Sequence, residues 1–576
     1  MKLKRPLACL IAFVLMFLFA VGCQPQATTE QSETQASVTS SESTSTTEPI
    51  KNINRFGWAV PEKTIEINCY NGEGYYAPTE EQKQGRANME KYLLEEFNVK
   101  INMMTTDGDG TEYLNLMLST GEYPEVIYNI SYENVLRLKD LEKAQDLTNY
   151  VEMYGQDIIK DIGDLYPLFL DSENKLWYIP IGVGALMELP DYSAHVRWDE
   201  YTAIGKPKIE TPDDYYNVIN QILEEFPTTP AGESRYTLSL YDQGDPAGSF
   251  GGYWGLKRGW KESSDHSLTY WAFTDEGKAM TKWFNRWWTD GKMDPDAFAN
   301  NFDEWKAKFS NERIVGAIGG WWIAYNAGHE IWMLTDPNWT EDKRFVQVGF
   351  KAPEAEAATV TGKNKYGWAN TVITDKADNI EEIMKFINFQ ATEPLGLALF
   401  GWGIPNGVPS YKDPNKLIKL WNIDENGNWS FDPEAKQQFI TETWDYPAEG
   451  VVNPGVFVFF THCNRWADGV HCIWGNQMWY EENKWKSMMI ENMKGTIYDF
   501  TPMALRDKDQ NVVLTEQAIK DTWKQHWPLV VQSANDAEFD QRWTEFQEAL
   551  RSVGIEEYTK ITENNYKNNL AKLGQK

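Results

Sequence analysis

The order of segments after Pro61 constrains the fold more than any other feature of the chain. TIEINCYN alternates apolar and polar residues as a strand does, then opens into the polar, Gly-containing stretch GEGYYAP. Between Glu80 and Phe97 the apolar positions Met89, Tyr92, Leu93 and Phe97 recur at helical spacing. VKINMMTT reads as a second strand, EYLNLMLSTG as a second helix ending at Gly121, and EVIYNIS as a third strand. A parallel strand pair needs a long crossover, and a crossover helix covers the sheet it returns to. Strands alternating with helices therefore predict an α/β fold with a mainly parallel sheet.

The same logic continues along the chain. ENKLWYIPIGVGALMEL holds an apolar strand that Gly182 to Gly184 relax. ETPDDYYNVINQILEEF begins with Thr211 as N-cap, Pro212 at the first helical position and acids in the first turn. FTDEGKAMTKWFNRWWTDG repeats the pattern, with Thr274 or Asp275 as cap and Gly291 as stop, and the face bearing Trp283, Trp287 and Trp288 reads as packing. FSNERIVGAIGGWWIAYN is a helix end followed by a strand, NIEEIMKFINFQATEPLGLALFGWG a helix pair, and Glu516 to Leu573 mostly helix. With 576 residues, 42% of them hydrophobic, the chain is too long for one core and too apolar to stay unfolded, so at least two lobes are expected.

The N-terminus is organised differently. Lys2, Lys4 and Arg5 precede an apolar run from Leu7 to Ala20 that is short for a membrane span, and Val21, Gly22 and Cys23 follow, which together read as an export signal. Gly22-Cys23 resembles a bacterial lipobox, with Ala20 where that motif usually has Leu. The resemblance implies cleavage after residue 22 and diacylation of Cys23, and two acyl chains hold a protein stably on a membrane. Residues 24–50 carry no aromatic side chain and cannot bury a core. They read as a leash with a reach on the order of 30 Å.

Cys463 and Cys472 flank Asp468-Gly469, a hairpin turn signal, in THCNRWADGVHCIW. A disulfide across that hairpin is the first reading, free thiols the second and a metal site with His462 and His471 the third, because adjacent strand residues face opposite ways. The formal charge of −31 repels polyphosphate, which argues against a nucleic-acid partner. No G-x-S-x-G, H-E-x-x-H or G-x-x-x-x-G-K-[ST] occurs. No enzymatic activity and no cofactor are expected, with an exported glycoside hydrolase as the catalytic alternative, since aromatic subsites and two carboxylates would serve it too.

Seven stretches in collinear order carry a family resemblance: the Cys23 motif with its leash, LSTGEYPEVIYN, NKLWYIPIG, VRWDEYTAIGKPKIETPDDY, FSNERIVGAIGG, IMKFINFQATEPLGLALFGWG and DAEFDQRWTEFQEALRSVGIEEYTKI. Together they resemble the family 1 extracellular solute-binding proteins of ABC importers, in the long lipoprotein branch of Gram-positive bacteria. The resemblance implies a two-lobed, type II periplasmic-binding-protein-like α/β fold with discontinuous lobes joined by hinge crossings near 182–192, 355–368 and 403–410. Its divisions would be a signal peptide at 1–22, the lipidated leash at 23–55, an N-terminal lobe at 56–185 plus 360–405, and a C-terminal lobe at 186–359 plus 406–576. It also implies a monomer on the outer face of the cell membrane, anchored by lipid alone, that closes on a solute and delivers it to permease subunits. Many members bind oligosaccharides; a peptide or another small solute is the alternative cargo. Many also carry a calcium loop after the helix that here ends near Phe226, where this chain has PTTPAGESRY, so no metal is expected.

The chain has 26 Trp, and an indole face suits a sugar, whose C–H face is weakly positive and whose hydroxyls need planar polar partners once they leave water. In the resemblance IGGWW falls on a stretch whose tryptophan stacks on sugar, which carries over Trp322, with core packing as the alternative. SFGGYWG matches a ligand loop, giving Tyr253 with its neighbour Trp254, and PEVIYNISYE gives Asn129, Tyr132 and Glu133. Asn71 and Glu73 follow from topology, since ligands bind beyond the carboxyl ends of strands in open α/β sheets. Trp368 and Trp402 lie near predicted crossings, with stacking and packing both open.

Overall fold

The computed structural model describes residues 52–72, 90–104, 106, 110–183, 192–241, 250–320, 328–392, 459–462 and 488–575, except 55, 56, 92, 329, 364, 490 and 507, together with four short strands between 408 and 431. These residues divide into two compact units: one takes those up to Gly163, Leu176–Val183 and those from Gly367 to Met478, and the other takes Asp164–Lys175, those from Gly184 to Tyr366 and those from Trp479 onward. In chain order the strands used below are β1 Ile65–Asn71, β2 Val99–Met104, β3 Val126–Ile130, β4 Ile179–Val183, β5 Tyr192–Arg197, β6 Trp260–Glu262, β7 Leu268–Tyr270, β8 Gly316–Gly320, β9 Phe345–Val348, β10 Thr361–Lys363 and β11 Ala369–Ile373.

The first unit is built on a six-stranded sheet in the order Thr461–His462, β4, β11, β3, β1, β2. All pairs are parallel except those made by β11, which runs antiparallel to both β3 and β4. β1 alternates buried Ile65, Ile67 and Cys69 with exposed Glu66 and Asn68, as its near-edge place requires. β4 and β11 are buried along their whole length, and β3 is buried except at Asn129, as central strands covered on both faces should be. The pairing of Thr461–His462 with β4 takes this unit well beyond residue 405, where the sequence reading closes the lobe, because strand pairing and not chain order decides membership. Helix Ile380–Ala391 packs an aromatic corner under the sheet: Trp58 lies 6.0 Å from Phe386 and 5.4 Å from Phe389, and its Nε1 donates to Phe97 O at 2.9 Å.

The second unit holds the three-stranded antiparallel sheet β8-β5-β9. Ala194 and Val196 of β5 point into a large core with Tyr215 and Ile219 of helix Pro212–Glu225 and with Trp283, Phe284 and Trp287 of helix Asp275–Thr289. The C-terminal helices Gln510–Val531, Asp536–Ser552 and Ile555–Lys572 extend this core, with Trp523 and Trp527 stacked at 5.5 Å and 8°. The predicted helix starts are observed. Thr211 and Asp214 form a reciprocal capping box, and of the two candidate caps for the next helix Thr274 is used, its Oγ accepting from Gly277 N at 3.0 Å. Among the described residues no helix is long and apolar enough to cross a membrane.

Candidate functional site

The carboxyl ends of β1, β3 and β4 lie at one edge of the first unit's sheet, and the antiparallel β11 brings its amino end to the same edge. Five of the predicted residues lie at this edge or in the turns beside it, and two of them, Asn71 and Asn129, are in contact. Asn71 closes β1, and its Oδ1 accepts from Asn129 Nδ2 at 3.2 Å. Asn129 holds a left-handed backbone at φ +60°, a conformation Asn tolerates better than most residues and one that turns the chain at the end of β3. Ser131 then caps helix Tyr132–Asp140 by accepting from Asn134 N at 3.3 Å, which places Tyr132 and the exposed Glu133 in its first turn. The Tyr132 ring meets that of Tyr178 edge-on at 5.5 Å.

Trp368 stands immediately before β11. Its N–H donates to Ile181 O at 3.0 Å, and its side chain is among the exposed large apolar groups at 42%. The indole lies over Gly182: a Cβ on that glycine would fall 1.5 Å from Cζ3 and 1.8 Å from Cε3 of the ring. Both Gly182, at φ +79°, and Gly367, at φ +91°, use backbone conformations that favour glycine, and a Cβ on Gly367 would fall 2.2 Å from Ile181 O. Asn370 Nδ2 donates to Ile130 O at 3.0 Å and ties β11 to β3 at the same edge. The sheet edge thus carries an aromatic plane where β4 and β11 meet and amide and carboxylate side chains where β1 and β3 end, and groups of both kinds can replace water around a polyhydroxylated ligand.

The sequence marks Trp368, Asn71 and Asn129 as candidate ligand residues, but it gives Gly182 and Asn370 no place in the site. The glycine pair Gly182 and Gly184 was the only signal for the former, and nothing in the sequence marks the latter as a tether between strands.

The structure places Tyr253 and Trp254 elsewhere. They are 0% and 3% exposed in the second unit's core. Tyr253 Oη donates to Val348 O at 2.8 Å and accepts from Ala194 N at 3.1 Å, its ring stacks on Phe350 at 4.0 Å, and burial raises its pKa. That hydroxyl is occupied in pinning a turn to β5 and β9, so these two rings pack and offer no face to a ligand. Trp322, Trp402, Glu73, Cys23, Cys463 and Cys472 lie outside the described residues. β8, which leads to Trp321 and Trp322, pairs Gly320 with Tyr192, and a Cβ on Gly316 would fall 2.9 Å from Tyr215 Oη, so close packing fixes the start of that strand.

At PTTPAGESRY the chain makes a tight turn, with Gly232 N donating to Thr229 O, and delivers Arg235 into the interior. Arg235 Nη1 lies 2.9 Å from Glu200 Oε1 and also donates to Phe226 O, while Nε donates to Glu312 O at 2.8 Å. Arg197 joins Asp199, Glu200 and Glu312 in the same network. Burial opposes the charge on Arg197, but the carboxylates of Glu200, Asp199 and Glu312 outweigh it and raise its pKa. Fixed side-chain cations thus sit among carbonyl and carboxylate oxygens in this region. Among the described residues no group of three or more His, Cys, Asp or Glu side chains is arranged to hold a metal ion.

Solved structures of ABC-transporter substrate-binding proteins share this fold. FusA of S. pneumoniae, in complex with kestose, superposes with a TM-score of 0.61 at 15% identity, covering 88% of this chain and 99% of that one. An HMO-binding solute-binding protein from Bifidobacterium longum infantis gives 0.57 at 14% identity over 88% and 99%. The N-glycan transport protein NgtS of Streptococcus pneumoniae gives 0.53 at 14% identity over 88% and 99%. The chain therefore has the two-lobed α/β fold of substrate-binding proteins. No family model matches it, and no curated protein matches its sequence.

Proposed function

We propose that this chain is the substrate-binding lipoprotein of an ABC importer and captures an oligosaccharide for delivery to a membrane permease. The observation that carries the reading is the exposed Trp368 indole laid over Gly182 where β4 and β11 meet, at the sheet edge where β1 and β3 end at Asn71 and just past Asn129 and the helix bearing Tyr132 and Glu133 begins. Carboxyl edges are where open α/β sheets bind ligands, and a fixed aromatic plane suits the C–H face of a sugar ring. A kestose complex, an HMO-binding protein and an N-glycan transport protein among structures of the same fold support this cargo over a peptide. Trp322, Trp402 and Glu73 complete the proposed ligand set. Residues 1–22 are the export signal, diacylated Cys23 is the anchor, and the Ser/Thr-rich leash holds a monomeric body on the outer face of the cell membrane of a Gram-positive-type bacterium.

Glycan-array screening followed by titration calorimetry tests the reading, with a peptide panel run in parallel. Micromolar or tighter binding to an oligosaccharide that is recovered unchanged is expected. Binding to peptides with none to any glycan would reassign the cargo, and cleavage of the bound glycan would make the protein a hydrolase.

A further inference from the structure

Gly182 occupies a particular place. The chain leaves the first unit after Val183 and returns to it before Gly367, so Gly182 and Trp368 sit one residue inside the outgoing and returning crossings. They are also adjacent in space. β11 pairs Ala369 with Ile181, the Trp368 N–H donates to Ile181 O, and the Trp368 ring fills the position a Gly182 Cβ would take. Gly367 faces the same peptide from the other strand, with a hypothetical Cβ 2.2 Å from Ile181 O. Two glycines are thus spent on letting one indole lie against the backbone of the neighbouring strand.

We propose that Gly182 is a positioning residue for ligand binding: its bare Cα is the seat that holds the Trp368 indole flat, with one face against the strand and the other turned to the ligand. The inference rests on the carbohydrate-binding reading above. The physical reason is pre-organisation. An indole on a loop must give up rotamer freedom when a ligand stacks on it, whereas one already seated on backbone has lost that freedom on folding, and affinity rises by the cost avoided.

A double-mutant cycle tests this, read by calorimetric affinity for the best glycan from the array, with thermal melting as the check on folding. Trp368→Ala should weaken binding at least tenfold. Gly182→Ala should weaken it comparably, since its Cβ must expel the ring. Added to Trp368→Ala, Gly182→Ala should cause less than a twofold further loss, because the space for the Cβ is then empty. Additive losses would show that Gly182 acts through the backbone alone and would overturn the proposal. Should Gly182→Ala fail to fold, Trp368→Phe and Trp368→Leu decide: a flat ring should keep affinity within about threefold and a branched aliphatic should not, and equal affinities overturn the proposal. A wild-type protein that binds no glycan refutes the functional reading itself, while glycan binding indifferent to Trp368→Ala sinks only this inference.

Discussion

His195 is a fully buried imidazole on the central strand β5, with neither ring nitrogen in hydrogen-bonding geometry with a partner. Burial drives its pKa from 6.5 to about 3, against an opposing pull from the backbone at Ser193 and Ala317. The unfolded chain therefore takes up a proton near pH 6.5 that the folded chain refuses until about pH 3, so stability falls as pH drops through that window. At pH 5 the penalty is about 2 kcal/mol, from roughly 1.5 pH units at 1.36 kcal/mol each. Melting temperatures at pH 7 and pH 5 should separate in the wild type and converge in His195→Leu; equal separation in both would exclude His195 as the source. Asp294 makes the opposite case, a buried carboxylate whose charge is met by the partly buried Lys308. The Lys308 Nζ lies 2.9 and 2.8 Å from the two Asp294 carboxylate oxygens and 2.9 Å from Asp296 Oδ2 and Asn300 Oδ1. Burial disfavours the Asp294 charge, yet Lys308, Ser239 and Asn300 together hold its pKa below the ordinary value. Lys308→Ala should destabilise by about 3 to 5 kcal/mol, because it strands that carboxylate. Denaturant unfolding should show Asp294→Asn restoring part of the loss in the Lys308→Ala background; no restoration would mean the ion pair is not the cause.

At the scale of elements, helix Pro212–Glu225 shows how local chemistry and packing divide the work. Its start is fixed by Thr211, whose Oγ1 accepts from Asp214 N at 3.1 Å while the Asp214 carboxylate accepts from Thr211 N at 2.9 Å. Thr211→Ala should cost about 1 kcal/mol in urea unfolding, and a change within error would show that packing of Tyr215 and Ile219 alone sets the boundary. That cap was legible in the sequence because capping is a short-range pattern. The turn Gly251–Trp254 was not. SFGGYWG resembled a ligand loop, but Gly252 is required for packing: a Cβ there would fall 2.3 Å from Thr359 O and 2.4 Å from Val360 Cα. Gly252→Ala should therefore lower the melting temperature of the folded protein while leaving glycan affinity unchanged at temperatures well below melting, whereas lost affinity at full stability would return Tyr253 and Trp254 to the site. Aromatic residues carry the same letters in a core as in a binding site, and only their neighbours distinguish the two.

For the whole molecule, each unit has its own sheet and its own core, and the chain crosses between them several times. Unfolding should therefore depart from two-state behaviour, with a calorimetric enthalpy exceeding the van't Hoff value; a ratio of one would mean the units melt as a single cooperative body. The sequence by itself determined the α/β class, the helix starts, the strand ends at Asn71 and near Asn129, and the composition that sets the N-terminal leash apart, because these depend on periodicity and on neighbours a few residues away. Tertiary structure alone decided that Tyr253 and Trp254 pack inward, that the strand at 461–462 joins the first unit's sheet, that Arg235 lies among the oxygens of Glu200, Phe226 and Glu312, and that Trp368 rests on Gly182. Each of these is a contact between residues far apart in the chain, and the free energy of such a contact depends on close packing in three dimensions, which a linear pattern does not encode.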